Sequence, residues 1–279
     1  MTVEAPVPES LGIIAGRGAY PRLLAEAARR EGVRRLFAVA FRWETDPAIA
    51  KVVDETAWIK LGQLGAMLDA FRRSGVRQAV MAGQIKPTHL FSLRMDRALI
   101  ELLARLPERN AHTIFGAIGD ELSKLGIELR PAHLFMESAM PEPGLLGRRP
   151  PDAREQADIE LGLKAAKLTS GLEIGQTVVV KKGTILSVEA FEGTDAAILR
   201  AGRLGGPGAV VVKVAKRGHD MRFDIPVVGT HTLRSLRKIR ASVLALEARR
   251  TILLERDAVI AEADRMGLCL AAVEMEKES

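Results

Sequence analysis

The sequence has 279 residues, 47% of them hydrophobic and 27% charged, which is ordinary globular usage and excludes a disordered or fibrous protein. At roughly 150 residues per domain, this length predicts two domains. The formal net charge is +6, and the segment from Arg200 to Arg250 concentrates it, with twelve Lys and Arg against three acids.

That basic segment is compatible with a phosphate-rich ligand, an anionic membrane, nucleic acid or a face that only meets solvent. Aromatic residues make up 4% of the chain, which argues against the stacking platforms that bind single-stranded nucleic acid. We therefore expect no nucleic-acid partner.

The cysteine content and the N-terminus indicate a cytoplasmic protein. Cys269 is the sequence's one cysteine, so neither an internal disulfide nor a cysteine-based zinc site can form. Residues 1–10, MTVEAPVPES, carry two glutamates where a signal peptide needs a basic start, and they predict a short disordered leader. No apolar run approaches the roughly 18 residues of a membrane-spanning helix.

The first half alternates short apolar runs with helical periodicity, which predicts a parallel sheet flanked by helices. We predict a Rossmann-like nucleotide-binding domain over residues 11–139. Its predicted strands are 11–16, 35–40, a less regular one near 58–61, and 79–83. Its predicted helices are 21–31, 64–75, 95–106 and 113–125.

Residues 140–151, MPEPGLLGRRPP, hold four prolines and two glycines and predict a linker between domains. Beyond it, residues 152–279 predict a second, mixed α/β domain that carries the chemistry. Its predicted elements are a helix (152–168), a hairpin around 181–183, a helix (194–204), strands at 208–214, 243–247, 251–255 and 268–273, and two helices between them.

Two glycine turns of the first domain are candidate ligand contacts. Gly16, Gly18 and Tyr20 lie where the first strand meets the first helix, a position that offers free amides to a phosphate. The pattern matches a dinucleotide fingerprint only in part, because Pro21 replaces its third glycine. The alternative is a turn that merely tightens the junction. Gln84 and Lys86 follow the strand 79–83, at the edge where open α/β sheets place ligands.

The sequence VEAFEGTDAA gathers acids at a turn in the second domain. Glu192 and Asp195, with Thr194 between them, are candidate oxygen ligands for a hard cation such as Mg²⁺. Helix capping and surface solvation are the alternatives.

The loop from Lys213 to Pro226 contains two carboxylates, Asp220 and Asp224, among basic residues that include Arg222. Metal-assisted phosphoryl chemistry needs acids to hold an ion or orient water, and cations to neutralise charge on phosphate. A loop held by simple Asp–Arg ion pairs explains the composition equally well.

Six motifs run through the chain from Leu11 to Leu270: LGIIAGRGAYP, MAGQIKP, PDAREQADIELG, IGQTVVVKKGTILSVEAFEGTDAAILRAG, KVAKRGHDMRFDIPVVG and LLERDAVIAEADRMGL. With them the sequence resembles the LpxI-type UDP-2,3-diacylglucosamine pyrophosphatases. The EGTD turn and the D-M-R-F-D-x-P loop are the specific ones.

The resemblance implies Mg²⁺-dependent hydrolysis of UDP-2,3-diacylglucosamine to UMP and 2,3-diacylglucosamine 1-phosphate in lipid A biosynthesis. It also implies a homodimer. The basic segment is expected to contact the inner membrane transiently. Carried over by residue, the resemblance makes Asp224 or Asp220 the essential acid, with Glu192 and Asp195 as further metal ligands. The predicted substrate contacts, from the residue pattern and the resemblance together, are Gly16, Gly18, Tyr20, Gln84, Lys86, Thr194, Lys213 and Arg222. Two alternatives are a pyrophosphatase for soluble nucleotide sugars and a protein that binds a lipid phosphate or nucleotide sugar without turnover.

Overall fold

The structure, a computed structural model, describes residues 6–85, 94–216, 220–223 and 225–275. The described residues within 1–136, together with Asp220–Phe223, form one compact unit, and those within 137–219 and 224–279 form the other. The unit boundary follows Met136, close to the predicted end of the first domain at residue 139. Two of the predicted site residues, Lys86 and Asp224, lie outside the described residues.

The first unit is a parallel sheet with helices. Its strands are β1 (Ser10–Ala15), β2 (Arg35–Phe41), β3 (Glu55–Ile59), β4 (Gln78–Ala82) and β5 (Glu128–Leu129). Its helices are α1 (Tyr20–Arg30), α2 (Leu64–Ser74), α3 (Arg97–Ala104) and α4 (Ala111–Lys124). The strand order β3-β2-β1-β4-β5, with every pair parallel, confirms the Rossmann-like prediction.

The second unit is built on a mixed sheet of the order β6-β13-β11-β9-β7-β8. Its main strands are β6 (Gly144–Leu145), β7 (Thr177–Lys181), β8 (Thr184–Val188), β9 (Val210–Lys213), β11 (Val243–Glu247) and β13 (Cys269–Val273). Its helices are α5 (Ala153–Gly171), α6 (Thr194–Gly205), α7 (Thr230–Ile239) and α8 (Arg256–Met266). The predicted α/β class is confirmed for both units, and no helix among the described residues is long and apolar enough to cross a membrane.

Two predicted segments of the second unit differ in the structure. The Pro/Gly-rich linker contains β6, which pairs antiparallel with β13 as an edge strand. The strand predicted at 251–255 is reduced to β12 (Ile252–Leu253), which pairs with β10 (Val227–Val228) in a separate two-stranded sheet. Short pairings of this kind depend on a partner far along the chain, so local hydrophobicity does not reveal them.

The core of the second unit fills both faces of its sheet, because alternate side chains of each strand point to opposite sides. Val211 and Leu244 pack in one cluster with α6 and α7 residues such as Ile198 and Leu236. Val210, Val212 and Val243 lie in the other cluster, which includes Ile159 of α5. The sequences of these strands are continuous apolar runs because both faces are buried. The polar residues described below lie at their carboxyl ends.

Gly83 allows the turns after β1 and β4 to touch. A Cβ atom on Gly83 would lie 2.6 Å from the carbonyl oxygen of Arg17, and one on Gly16 would lie 2.7 Å from that of Gln84. Gly83 also has a φ of +89°, in the left-handed region that favours glycine. The two glycines therefore serve a close approach between backbones of the first unit.

We expect Gly83→Ala to lower the free energy of unfolding by more than about 2 kcal/mol, because it adds a backbone clash to left-handed strain. Gly18→Ala is the matched control: its φ is +88°, but nothing lies within 4 Å of the added Cβ, so it should cost only about 1 kcal/mol. Urea denaturation of the two variants measures the difference. Equal losses would contradict the close-approach explanation.

Candidate active site

A chain of polar side chains in the second unit joins the end of β9 to the start of α6. Lys213, the last residue of β9, is only 5% exposed, and its ammonium donates to Thr194 Oγ1 at 2.9 Å. Thr194 Oγ1 in turn donates to Glu189 Oε1 at 2.8 Å. An ammonium has three donors, so Lys213 retains capacity to bind a phosphate oxygen beside Thr194.

The start of α6 adds backbone donors to this position. Gly193 is its N-cap residue, with a φ of +83° and no side-chain capping bond. The first amides of a helix lack intrahelical partners and carry the positive end of the helix dipole. Lys213, Thr194 and these amides together are suited to an anionic oxygen, as the sequence predicted for the two side chains.

Asp195 connects the first turns of α6 and α7. Its carboxylate accepts a hydrogen bond from Ser235 Oγ at 2.7 Å, and its other oxygen lies 3.1 Å from His231 Nδ1. Ser235 is 6% exposed. Sequence reasoning missed Ser235 and His231, because neither belongs to a motif and both lie far from Asp195 along the chain.

Glu192 is an ion-pair partner of Arg200. Burial raises the pKa of Glu192, but the hydrogen bond from Arg200 and smaller backbone contributions outweigh it, so the net pKa is lower than usual. Arg200 also donates to the Val188 carbonyl at 2.9 Å. The Glu192 carboxylate is therefore ionised and held against the end of β8.

Asp220 and Arg222 form a tight pair within the first unit. Arg222 Nε lies 3.0 Å from both carboxylate oxygens of Asp220, and Nη2 lies 2.6 Å from Oδ2. The Arg222 hydrogen bond is the main reason that the pKa of Asp220 is lowered. This arrangement matches the ion-paired alternative for these two residues.

Backbone and ring contacts hold the Asp220–Phe223 segment in the first unit. The Met221 carbonyl accepts from the Ala132 amide at 2.7 Å. The Phe223 ring lies 5.7 Å from His112 and 5.9 Å from Phe115, measured between ring centroids. Sequence reasoning assigned the whole Lys213–Pro226 loop to the second domain, because contacts of a four-residue insertion have no local signature.

The predicted magnesium ligands do not form a cluster in the described part of the chain. No group of three or more His, Cys, Asp and Glu residues is placed there as a metal site. Asp195, Glu192 and Asp220 each have the separate partners given above. Glu189, which accepts from Thr194, also has a buried carboxylate oxygen, Oε2, without a hydrogen-bond partner among the described residues. The carboxylates suit a hard cation chemically, and magnesium binding stays a prediction.

The two glycine turns that were predicted to contact a ligand, after β1 and after β4, lie next to each other in the first unit. Arg17 and Gln84 exchange backbone hydrogen bonds of 2.7 and 3.3 Å where β1 and β4 end. Parallel-sheet enzymes bind ligands at this kind of strand edge. Gly18 has open space around its Cα, whereas Tyr20 is 4% exposed and donates its hydroxyl to the Ala132 carbonyl. The described contacts of Tyr20 are thus internal ones.

Comparison with known proteins identifies both units. The family model of the LpxI N-terminal domain matches residues 10–139, and that of the LpxI C-terminal domain matches residues 142–271. The UDP-2,3-diacylglucosamine pyrophosphatase LpxI of Caulobacter vibrioides is 32% identical over 280 residues, covering 96% of this chain and 98% of the relative.

A solved structure of N5-carboxyaminoimidazole ribonucleotide synthetase with ADP is 14% identical, with a TM-score of 0.29. The match covers 72% of this chain and 46% of that one, so the chain spans less than half of that protein. This TM-score is too low to indicate a common fold. The two domain models and the Caulobacter relative confirm the resemblance found in the sequence, and the chain belongs to the LpxI family.

Proposed function

We propose that this LpxI-family protein hydrolyses the diphosphate of UDP-2,3-diacylglucosamine to UMP and 2,3-diacylglucosamine 1-phosphate in lipid A biosynthesis. Its family relationship makes it a hydrolase that acts on a diphosphate. The observation that carries the proposed substrate is the match to the Caulobacter pyrophosphatase over 98% of that protein's length.

The geometry around Lys213 supports phosphoryl chemistry in the second unit. The reaction builds negative charge on phosphate oxygens, and a preorganised cation with helix amides stabilises that charge. Lys213 is already desolvated and oriented by Thr194, so little reorganisation is needed when a phosphate binds.

Asp224 is our proposed essential acid. Both carboxylate oxygens of Asp220 are engaged by Arg222, so Asp220 serves better to hold its own segment than to act on water. Asp224 was the other acid singled out in the sequence, and it supplies the remaining carboxylate for orienting the attacking water.

Mg²⁺ is the proposed cofactor. Its proposed ligands are Asp224, Glu192 and Asp195, with Asp220 as a further candidate. All four supply the carboxylate oxygens that this ion prefers. When bound, Mg²⁺ would neutralise diphosphate charge. The residues of the chain would still bind the phosphate through Lys213 and orient the water through Asp224.

The experiment that tests the proposed function is incubation of the purified protein with UDP-2,3-diacylglucosamine in mixed micelles, with Mg²⁺ or with excess EDTA. Mass spectrometry should find equal amounts of UMP and 2,3-diacylglucosamine 1-phosphate with Mg²⁺ and neither product with EDTA. Product formation that persists in EDTA would contradict the metal requirement. Substrate binding without either product would instead favour the non-catalytic alternative.

We further propose that the protein contacts the inner membrane through a basic helix face formed by Arg203, Arg234, Lys238 and Arg240. These cations lie on α6, on α7 and at the C-cap of α7. The two helices are packed closely, since a Cβ on Gly202 would lie 2.2 Å from Ile239. None of the four has an ion pair within the described ranges, and α7 contains no acid. The face is therefore complementary to anionic lipid.

Replacing Arg234 and Lys238 with alanine should weaken binding to vesicles that contain one third phosphatidylglycerol, by about fivefold per cation removed. Co-sedimentation measures this loss, and both forms should release at high salt. The matched control, Arg30→Ala with Arg34→Ala, removes the same charge from exposed positions of the first unit. Equal losses for both pairs would show that net charge, and not this face, drives binding. A homodimer remains a prediction.

A further inference from the structure

Four consecutive residues at the end of β9 are each held by a different contact. Lys213 binds Thr194, and the Val214 amide donates to the Gln176 carbonyl at 3.0 Å. Lys216 pairs with Glu173 at 2.6 Å. Between them, Ala215 is bound through both its amide and its carbonyl. Loops are commonly more mobile than the strands that they follow, whereas the residues after β9 are held up to Lys216.

Lys167 of α5 and Glu247 of β11 hold Ala215. The Lys167 ammonium lies 2.9 and 2.7 Å from the two carboxylate oxygens of Glu247 and donates to the Ala215 carbonyl at 2.8 Å. Glu247 Oε2 accepts the Ala215 amide at 2.8 Å. The two side chains therefore bind both backbone polar groups of Ala215, its carbonyl and its amide.

Both charged residues are buried: Lys167 is 8% exposed and Glu247 4%. Desolvating two charges offsets most of their mutual attraction, so a buried ion pair is weak evidence for added stability. The pair instead positions the backbone of Ala215, because Lys167 also donates to its carbonyl and Glu247 also accepts from its amide.

Ala215 stands between the two parts of the proposed site. Lys213 precedes it by two residues, whereas Asp220 and Asp224 follow it by five and nine. A displacement of the backbone at Ala215 would move the Lys213 ammonium away from Thr194. Misplacement of about 1 Å can lower an enzymatic rate about a hundredfold.

We propose that Lys167 and Glu247 are positioning residues for the hydrolytic reaction, which fix Ala215 and thereby the Lys213 side chain. This inference rests on the proposed function. The pair touches no reacting atom, and its effect on turnover passes through the backbone at the end of β9.

Two double variants separate positioning from stability. Lys167→Met with Glu247→Gln removes both charges and keeps an acceptor for the Ala215 amide. Lys167→Met with Glu247→Leu removes the acceptor as well. Neither variant leaves a buried charge unpaired, so both should fold. We expect kcat to fall by about tenfold in the Gln form and about a hundredfold in the Leu form, with KM changed less than threefold.

Hydrogen exchange at the Ala215 amide supplies a readout that needs no substrate. Exchange should be faster in the Leu form than in the Gln form and the wild type, because a leucine side chain cannot accept the hydrogen bond of the Ala215 amide. The control pair is Arg149 and Glu155, joined at 2.7 and 2.8 Å in the same unit, with Arg149 also bonded to the Ser242 carbonyl just before β11. Arg149→Met with Glu155→Gln should lower the melting temperature and leave kcat unchanged.

If the Leu form keeps both the wild-type kcat and the wild-type exchange rate at the Ala215 amide, the positioning role is overturned. Equal loss of kcat in the Leu form and in the Arg149–Glu155 control would also overturn it, because it would trace the effect to general stability. If the wild type cleaves no substrate, the proposed function fails, and amide exchange at Ala215 still decides whether the pair fixes the backbone.

Discussion

Replacing Lys213 with methionine is expected to lower kcat by about 10²–10³-fold, the loss typical of removing one preorganised donor from a developing anion. The substitution keeps most of the aliphatic volume and removes the ammonium that binds Thr194 at 2.9 Å. Thr194 would keep its bond to Glu189, so the start of α6 should remain in place. Steady-state kinetics with UDP-2,3-diacylglucosamine measure the change.

Lys181→Met is the matched control for this prediction. Lys181 also ends a strand of the same sheet, and its ammonium donates to the carbonyl of Pro207 at 2.7 Å. It lies outside the proposed site, so its loss should lower stability without a comparable change in kcat. Similar kcat losses in both variants would assign Lys213 a structural role and remove it from the proposed phosphate contacts.

Asp224→Asn is expected to lower kcat by at least about 10³-fold, whereas Asp220→Asn should lower it less than about tenfold. The reason is the engagement of Asp220 by Arg222, which leaves Asp224 as the acid proposed to orient water. Both substitutions preserve shape and remove one charge, so each is the control for the other. The opposite ranking would transfer the essential role to Asp220.

The pH dependence of stability gives an independent measure of the Asp220 pair. Because the hydrogen bond from Arg222 lowers the pKa of Asp220 below the ordinary aspartate value of 3.8, this carboxylate stabilises the fold above that value. The contribution is lost as the pH falls through the lower, folded-state pKa. Urea denaturation between pH 5 and 2, as approximate limits, should therefore show less acid sensitivity in Asp220→Asn than in the wild type.

The sequence predicted the elements of both units well because their periodicity reflects burial. Val210–Lys213 and Val243–Glu247 are apolar runs that are covered on both faces, and α2 ends at Ser74, with the predicted end residue Gly75 as its C-cap. It did not predict β6, because two residues within a Pro/Gly-rich stretch give no periodic signal. The pairing of β6 with β13 depends on tertiary contacts with a segment far along the chain.

The candidate site could be predicted only where its residues share a motif. The EGTD turn identified Thr194 and Asp195, and the motif KVAKRGHDMRFDIPVVG identified Lys213. Ser235 is forty residues from Asp195, and Glu247 is eighty residues from Lys167. Such pairs become neighbours only when the strands assume their order in the sheet. The glycine turns of the first unit show the converse: Gly16 was assigned to ligand approach, and its close contact with Gly83 supplies a structural reason for both glycines.

The measurement that tests the central claim most directly compares UDP-2,3-diacylglucosamine with UDP-N-acetylglucosamine as substrates for the wild type and for Asp224→Asn, with Mg²⁺ present. Mass spectrometry should detect UMP and the lipid phosphate from the acylated substrate with the wild type, and from neither substrate with the variant. Absence of products from a folded wild type would contradict the proposed hydrolysis. Equal cleavage of both substrates would contradict the proposed preference for the lipid-linked form.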